Sequence, residues 1–266
     1  MESLSATTSS DVLRDRFAAL ARQGRKALVP YVTAGHPTPT LSVELLRALE
    51  ASGADAIEVG VPFSDPMADG PVIQASSQLA LEQGMTLDRT LTLVHDAGLS
   101  IPVVLFSYLN PVVAAGPDVL ERAAAAGLHG ILVTDLPVGV DPEREQWLGG
   151  GPLAFVRLVA PTTPDDRMRE IGEHGSGFVY LISRLGVTGA RDDVPDELPA
   201  TIGRLRHATS LPICVGFGIS NASQARRIGA LADGIVVGSA IVRAAGESVA
   251  AAADLASGLR AALDEG

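Results

Sequence analysis

The sequence predicts an α/β fold, a (β/α)₈ TIM barrel with an extra helix at its N-terminus. Eight short apolar runs are rich in Val, Ile and Leu, as strands buried on both faces are. Each run is followed by a helix-like or turn-rich segment, and this alternation indicates a parallel sheet. Because no Gly-x-Gly-x-x-Gly follows the first run, the closed barrel is favoured over an open dinucleotide-binding sheet.

The chain begins with a polar stretch, residues 1–9, which we expect to be a flexible tail without the features of a signal peptide. A helix is predicted behind Ser10, with Val12, Phe17 and Leu20 at helical spacing on one face. We expect this helix to cover one end of the barrel. Residues 10–266 are predicted to form a single barrel domain.

The eight units follow in order. The helix of the fourth unit, within 141–147, must be short because three consecutive glycines follow soon after it. The predicted strands are 27–33, 56–61, 103–108, 130–136, 154–159, 178–183, 213–218 and 234–238. Helical segments are predicted at 40–50, 72–82, 119–126, 165–173, 200–209 and 223–231.

Composition narrows the class of protein. Of the 266 residues 47% are hydrophobic, which indicates a globular chain, and the net charge of -11 argues against nucleic acid or an anionic membrane as a partner. No apolar stretch nears transmembrane length, so a cytoplasmic location is expected. The single cysteine, Cys214, cannot form an internal disulfide and is expected to be an inert core thiol.

The stretch around residues 56–70 is the centre of the predicted site. Glu58 lies in the middle of a run that should be buried, where an ionised carboxylate is costly. Pro62 ends the strand, so Asp69 belongs to the loop that leaves its C-terminal end. A single such acid is often part of a structural ion pair, but its context here favours a catalytic carboxylate pair.

Glycine-rich turns after strands six, seven and eight indicate a phosphate site, because barrels of this type commonly bind phosphate there. Glycines let backbone N–H groups approach an anion, and a helix that begins at Ser239 would direct its positive end to the same place. The long turn 183–193 is interpreted as a mobile lid with hinges at Gly186 and Gly189.

Several chemistries are excluded. The one lysine, Lys26, precedes strand one and therefore lies at the end of the barrel away from the site, which excludes a Schiff base. Only His36 follows a strand on the active face, so no metal cluster is expected. Proton chemistry by carboxylates at strand ends remains; the candidate acids and their polar neighbours are Glu58, Asp69, Asp135, Tyr108, Tyr180 and Arg184.

At this point the sequence resembles the tryptophan synthase alpha chain family. Residues 57–71 (IEVGVPFSDPMADGP) carry the resemblance, and matching segments follow in order along nearly the whole chain: 30–35, 108–111, 135–137, 183–190, 216–220 and 238–242. The resemblance implies reverse aldol cleavage of indole-3-glycerol phosphate to indole and glyceraldehyde 3-phosphate. It implies no cofactor on this chain, and a beta-chain partner that carries pyridoxal phosphate in an α₂β₂ complex.

The resemblance also implies residue roles. Glu58 would be the general acid and base, Asp69 would accept the hydrogen of the indole nitrogen, and Tyr180 would orient the catalytic group. Thr188 would close over Asp69, and further substrate contacts are expected from Tyr108 and Asp135. The indole slot would be lined by Tyr31, Phe106, Leu132, Phe217 and Val236, and the phosphate would be held around Gly189, Gly218, Gly238 and Ser239.

Three features depart from the family pattern: His36 replaces a common acidic residue, Phe106 is bulkier than the usual aliphatic side chain, and the fourth helix is broken by glycine. Three alternatives stay open beside the alpha-subunit function. They are a stand-alone lyase that releases free indole, a non-catalytic phosphate-binding activator of a partner enzyme, and a phosphosugar isomerase or epimerase.

Overall fold

The computed structural model describes residues 9–182, 196–216 and 218–265, and within them eight parallel strands close into a barrel. Each strand pairs with the next along the chain, and β8 pairs with β1. The predicted barrel is therefore confirmed. The strands are β1 (Ala27–Thr33), β2 (Ile57–Gly60), β3 (Val103–Ser107), β4 (Gly130–Val133), β5 (Ala154–Val159), β6 (Val179–Ile182), β7 (Ile213–Gly216) and β8 (Gly234–Val237).

Twelve helices surround the strands in the described ranges. They are α1 (Ser9–Arg22), α2 (Pro39–Ala51), α3 (Pro71–Glu82), α4 (Leu87–Ala97), α5 (Leu109–Ala114), α6 (Val119–Ala125), α7 (Pro142–Gly149), α8 (Asp165–Glu173), α9 (Leu198–Ala208), α10 (Ala222–Gly229), α11 (Ser239–Glu247) and α12 (Val249–Asp264). The fourth unit has the expected short helix, since α7 spans eight residues. None of the helices described is long and apolar enough to cross a membrane.

Helix α1 seals the N-terminal end of the barrel. Its side chains Leu13, Phe17 and Leu20 are buried in the cluster that fills the barrel interior, and the Phe17 ring lies 5.2 Å from that of Phe178. The prediction for Val12 was wrong: it is only half-buried, and Leu13 takes its place because positions 13, 17 and 20 share one helical face. The proposed tail lies outside the described residues except for Ser9, which begins α1.

A buried carboxylate fastens this same end of the barrel. Asp55, which is 1% exposed, accepts hydrogen bonds from the Leu28 amide at 2.9 Å, from Arg260 at 2.9 Å and from Arg16 at 2.6 Å. These contacts join the start of β1 to α1 and α12. The N-terminal end is therefore closed, and the opposite end of the barrel is left for a site.

Candidate active site

Glu58 lies inside the barrel with one carboxyl oxygen that has no partner among the described residues. It is 1% exposed, in register with Tyr31 on β1 and Val104 on β3, and its Oε1 has no hydrogen-bond partner in the described ranges. Burial raises the pKa of Glu58 from 4.5 to about 8. The carboxyl is thus protonated at neutral pH and can donate a proton.

Asp69 lies in the loop between β2 and α3 and is 6% exposed. The Tyr108 hydroxyl donates a hydrogen bond to its Oδ2 at 3.0 Å, and the Ala68 amide donates to that hydroxyl at 2.9 Å. Burial raises the pKa of Asp69 to about 6, and the Tyr108 hydrogen bond opposes this rise. At pH 7 Asp69 is mostly ionised while Glu58 holds its proton. Their different environments thus make Asp69 a base and Glu58 an acid.

Two tyrosines, the buried Tyr31 and the half-buried Tyr180, lie near both acids. Burial raises the pKa of Tyr31, and the charges of Asp69 and Glu58 add to the rise; the same three causes raise the pKa of Tyr180. Both tyrosines therefore lie within electrostatic reach of both carboxylates. The phenol rings fit there because glycines stand beside them: an added Cβ would lie 2.1 Å from the Tyr31 hydroxyl at Gly60, and 2.2 Å from the Tyr180 hydroxyl at Gly216.

Apolar walls surround this space. The Phe106 ring meets the Tyr31 ring edge to face with 5.1 Å between centroids, and Leu132 and Val236 are buried in the same interior cluster. Such walls suit a flat aromatic ligand. The indole-contact roles of these four residues stay predictions, and Phe217 lies outside the described residues.

The predicted phosphate residues lie at the C-terminal ends of β7 and β8. Helix α11 begins at Ser239 directly after Gly238 and has no side-chain cap, so its first N–H groups are available to an anion. Gly218 has a φ of +85° and open space beside its Cα. Thr188, Gly189 and the proposed lid fall within 183–195, outside the residues that the structure describes.

The loop after β1 packs against α11. Nε2 of His36 lies 3.2 Å from the Val242 carbonyl oxygen on α11. Burial lowers the pKa of His36, and the bond to Val242 opposes the decrease. His36 therefore stands as a neutral contact to α11 at pH 7.

Two residues predicted to contact the substrate, Asp135 and Tyr108, also have partners within the protein. Asp135 is exposed, and its Oδ1 accepts the Leu109 amide at 2.7 Å, so it caps α5. Tyr108, as described, holds Asp69. Sequence reasoning missed these two functions, although the absence of a capping side chain at the start of α5 was a usable signal. Substrate contact by Asp135 or Tyr108 stays a prediction.

The described residues contain no group of three or more His, Cys, Asp or Glu side chains arranged to hold a metal ion.

Tyr180 is half-buried and packs against the interior cluster beside Leu158, with which it is in register. Its predicted role in orienting the catalytic group is compatible with this position and stays a prediction.

Comparison with known proteins gives one consistent result. The family model described as tryptophan synthase alpha chain matches residues 17–263. The chain is 49% identical to the tryptophan synthase alpha chain of Laribacter hongkongensis, over 94% of this chain and 98% of that protein, and 44% identical to that of Burkholderia thailandensis, over 95% and 96%. The crystal structure of tryptophan synthase subunit alpha from Legionella pneumophila superposes with a TM-score of 0.88 at 33% identity, covering 98% of this chain and 100% of that one.

Proposed function

The chain belongs to the tryptophan synthase alpha chain family, whose lyase activity on indole-3-glycerol phosphate it shares, and we propose that Glu58 and Asp69 perform the cleavage. The observation that carries the proposal is the different environment of the two buried acids: Glu58 has an oxygen without a partner among the described residues, whereas Asp69 accepts a hydrogen bond from Tyr108. Burial gives Glu58 a pKa of about 8, whereas Asp69, held by Tyr108, has a pKa of about 6.

In the proposed reaction Glu58 donates its proton to C3 of the indole ring. The positive charge that develops on the ring nitrogen is stabilised by the Asp69 carboxylate, which accepts the N–H hydrogen. The ionised Glu58 then takes the proton of the adjacent glycerol hydroxyl. As that oxygen becomes an aldehyde, the electron pair of the carbon–carbon bond returns to the ring, which leaves indole and glyceraldehyde 3-phosphate without a lysine imine or a metal.

The remaining roles follow from position. The N–H groups at Gly238 and Ser239 would hold the phosphate with those near Gly218, and Tyr180 would keep the reacting group oriented. The apolar walls would hold the indole ring between the two acids. We propose that this chain needs no cofactor of its own.

We further propose that the beta chain docks on the rim around the barrel mouth, in an α₂β₂ complex with pyridoxal phosphate on the beta chain. Two apolar side chains on loops of this rim support the proposal: Met67, after β2, is 88% exposed, and Val140, after β4, is 69% exposed. Large exposed apolar side chains are typical of surfaces that a partner covers. A cytoplasmic location is proposed on the sequence grounds given above.

The test is indole release from indole-3-glycerol phosphate by the purified chain, with and without a beta chain. The pH profile of kcat/KM should be bell-shaped, with limbs near 6 and 8 for Asp69 and Glu58. Glu58→Gln and Asp69→Asn should each lower kcat by about 10²- to 10⁴-fold. Glu82→Gln, an exchange of an exposed acid on α3, serves as the matched control.

Three results would separate the alternatives. Parental indole release by Glu58→Gln would refute the acid role and favour the non-catalytic activator. Fast turnover by the isolated chain would indicate a stand-alone lyase, whereas a slow rate that rises when a beta chain is added indicates the subunit. Binding of ribose phosphates with indifference to indole compounds would favour the isomerase or epimerase.

A further inference from the structure

A buried ion pair lies outside the barrel, behind the loop of residues 134–141 that follows β4. Arg157 on β5 is 4% exposed and Glu145 on α7 is 7% exposed, and Nη2 of the arginine lies 2.5 Å from Oε2 of the glutamate. The guanidinium also stacks on the Phe155 ring, 4.0 Å from its centroid. The pair thus joins two elements that flank the loop.

The pair and one further arginine hydrogen-bond the backbone of the loop at three positions. Nη1 of Arg157 donates to the Leu136 carbonyl at 3.2 Å, and the Gly139 amide donates to Oε1 of Glu145. Arg167 on α8 donates to the Val138 carbonyl between them. The back of the loop is therefore held at three of its eight residues.

The energetics indicate that this arrangement does more than stabilise the fold. Burial lowers the pKa of Arg157, and the attraction of Glu145 opposes the decrease, so taking the guanidinium out of water has a cost. Apolar side chains of similar volume often replace a buried ion pair without loss of stability. What apolar side chains cannot supply is the directed hydrogen bonds to the loop.

The front of the same loop holds both neighbours of Tyr108, the residue that holds Asp69. The Thr134 amide donates to the Ser107 carbonyl at 3.0 Å, and the Thr134 hydroxyl donates to the same carbonyl at 3.4 Å. Asp135 caps α5 one residue after Tyr108, through the Leu109 amide. The position of the loop therefore sets the position of Tyr108 from two directions.

We propose that Arg157, paired with Glu145, is a positioning residue for Asp69, acting through the loop 134–141 and Tyr108. The ion pair fixes the loop from behind, and the loop keeps the Tyr108 hydroxyl aimed at the Asp69 carboxylate. The inference rests on the proposed function only in that Asp69 serves as the ionised partner of the indole nitrogen.

The test replaces the pair with neutral side chains of similar volume, Arg157→Met with Glu145→Gln. Since the hydrogen bond from Tyr108 lowers the pKa of Asp69, a loosened Tyr108 should let that pKa rise. The acidic limb of the kcat/KM profile should move to higher pH by about 0.5 to 1 unit. Complete loss of a hydrogen bond to a charged group would move it by roughly 1 to 2 units, and the variant loosens this hydrogen bond without removing it. The other titratable groups facing Asp69, namely Tyr31 and Tyr180, are left in place.

The same shift should be visible without turnover, by ¹³C NMR titration of the Asp69 carboxyl, with Asp69→Asn used to assign the signal. This readout separates the two proposals: a chain that makes no indole refutes the proposed function, while the NMR titration still tests the link from Arg157. Tyr108→Phe should raise the same pKa directly. Combining Tyr108→Phe with the neutral pair should add nothing further, because both act through one hydrogen bond.

The matched control is a second buried ion pair, neutralised as Asp55→Asn with Arg260→Met at the opposite end of the barrel. It should lower Tm and leave the titration of Asp69 unchanged. The proposal would be overturned if Arg157→Met with Glu145→Gln changed Tm but not the titration of Asp69. It would also be overturned if the pKa shift of that double variant added fully to the shift caused by Tyr108→Phe. Should that double variant not fold, Arg167→Gln removes one loop contact: a smaller upward shift supports the proposal, and no shift overturns it.

Discussion

Glu58→Gln should stabilise the folded chain, by an amount that grows with pH. The substitution keeps the shape of the side chain and replaces a carboxyl by an amide, which is neutral at every pH. In the folded chain Glu58 is buried with an Oε1 that has no partner among the described residues, and its pKa is raised from 4.5 to about 8. In the unfolded chain the same carboxyl is solvated and ionises normally.

The magnitude follows from linkage between protonation and folding. Because the folded pKa of Glu58 is raised, its contribution to stability is most favourable below pH 4.5 and is lost as pH rises towards about 8. At pH 7 the raised pKa of Glu58 lowers the free energy of unfolding by the equivalent of about 2.5 pKa units, or roughly 3 kcal/mol. Above pH 8 this decrease levels off near about 5 kcal/mol. The amide variant avoids this loss.

The assay is urea unfolding of parent and variant between pH 5.5 and 9, followed by circular dichroism. The difference in free energy of unfolding should rise by about 1.4 kcal/mol per pH unit up to pH 8 and then flatten. Glu121→Gln, a surface exchange on α6, corrects for the loss of one negative charge from a net charge of -11. A difference that is constant across this range would refute the idea that burial keeps Glu58 protonated.

Three further substitutions test the packing around the site and at the closed end of the barrel. Gly60→Ala would place a Cβ 2.1 Å from the Tyr31 hydroxyl and should cost about 1 to 3 kcal/mol in urea unfolding; adding Tyr31→Leu, which removes the overlapping ring, should recover most of it, and no recovery would contradict the clash. Leu13→Ala should cost about 2 to 5 kcal/mol by opening a cavity under the barrel, and a change below 1 kcal/mol would mean that α1 seals little. Asp55→Ala removes the buried acceptor that the Leu28 amide, Arg16 and Arg260 share, and should lower stability by about 3 to 5 kcal/mol, more than Arg260→Met, which leaves Asp55 paired with Arg16; equal losses would argue against the shared acceptor as the cause.

The barrel was predictable because its signal is periodic and local. Runs of apolar residues separated by helical segments specify the order of strands, and only one closed arrangement suits eight of them. Strand ends were less accurate: the fourth strand, expected to reach 136, ends at Val133, because Thr134 turns to bond the Ser107 carbonyl. Helix α4 was missed as well, although Thr86 caps its start by accepting the Arg89 amide.

The acids of the site were predictable because each breaks a local rule. Glu58 interrupts an apolar strand and Asp69 follows directly on turn-forming residues. The partners of these acids could not be found in this way, since Tyr108 is 39 residues from Asp69 in sequence and meets it only after the barrel has closed. Arg157 is similar: in the sequence it is one charge within an apolar run, and its partner Glu145 lies on a neighbouring helix.

The packing of α1 against the N-terminal end of the barrel affects how the chain folds during synthesis. Helix α1 leaves the ribosome before any strand, yet some of its contacts are with late segments: the Ser10 amide donates to the Pro152 carbonyl, and Phe17 packs on Phe178. Its apolar face must therefore wait, uncovered, until more than half of the chain has been made. In a nascent chain halted before β6, the apolar face of α1 should be exposed and able to bind a chaperone, because the part of the barrel that covers it has not yet been made.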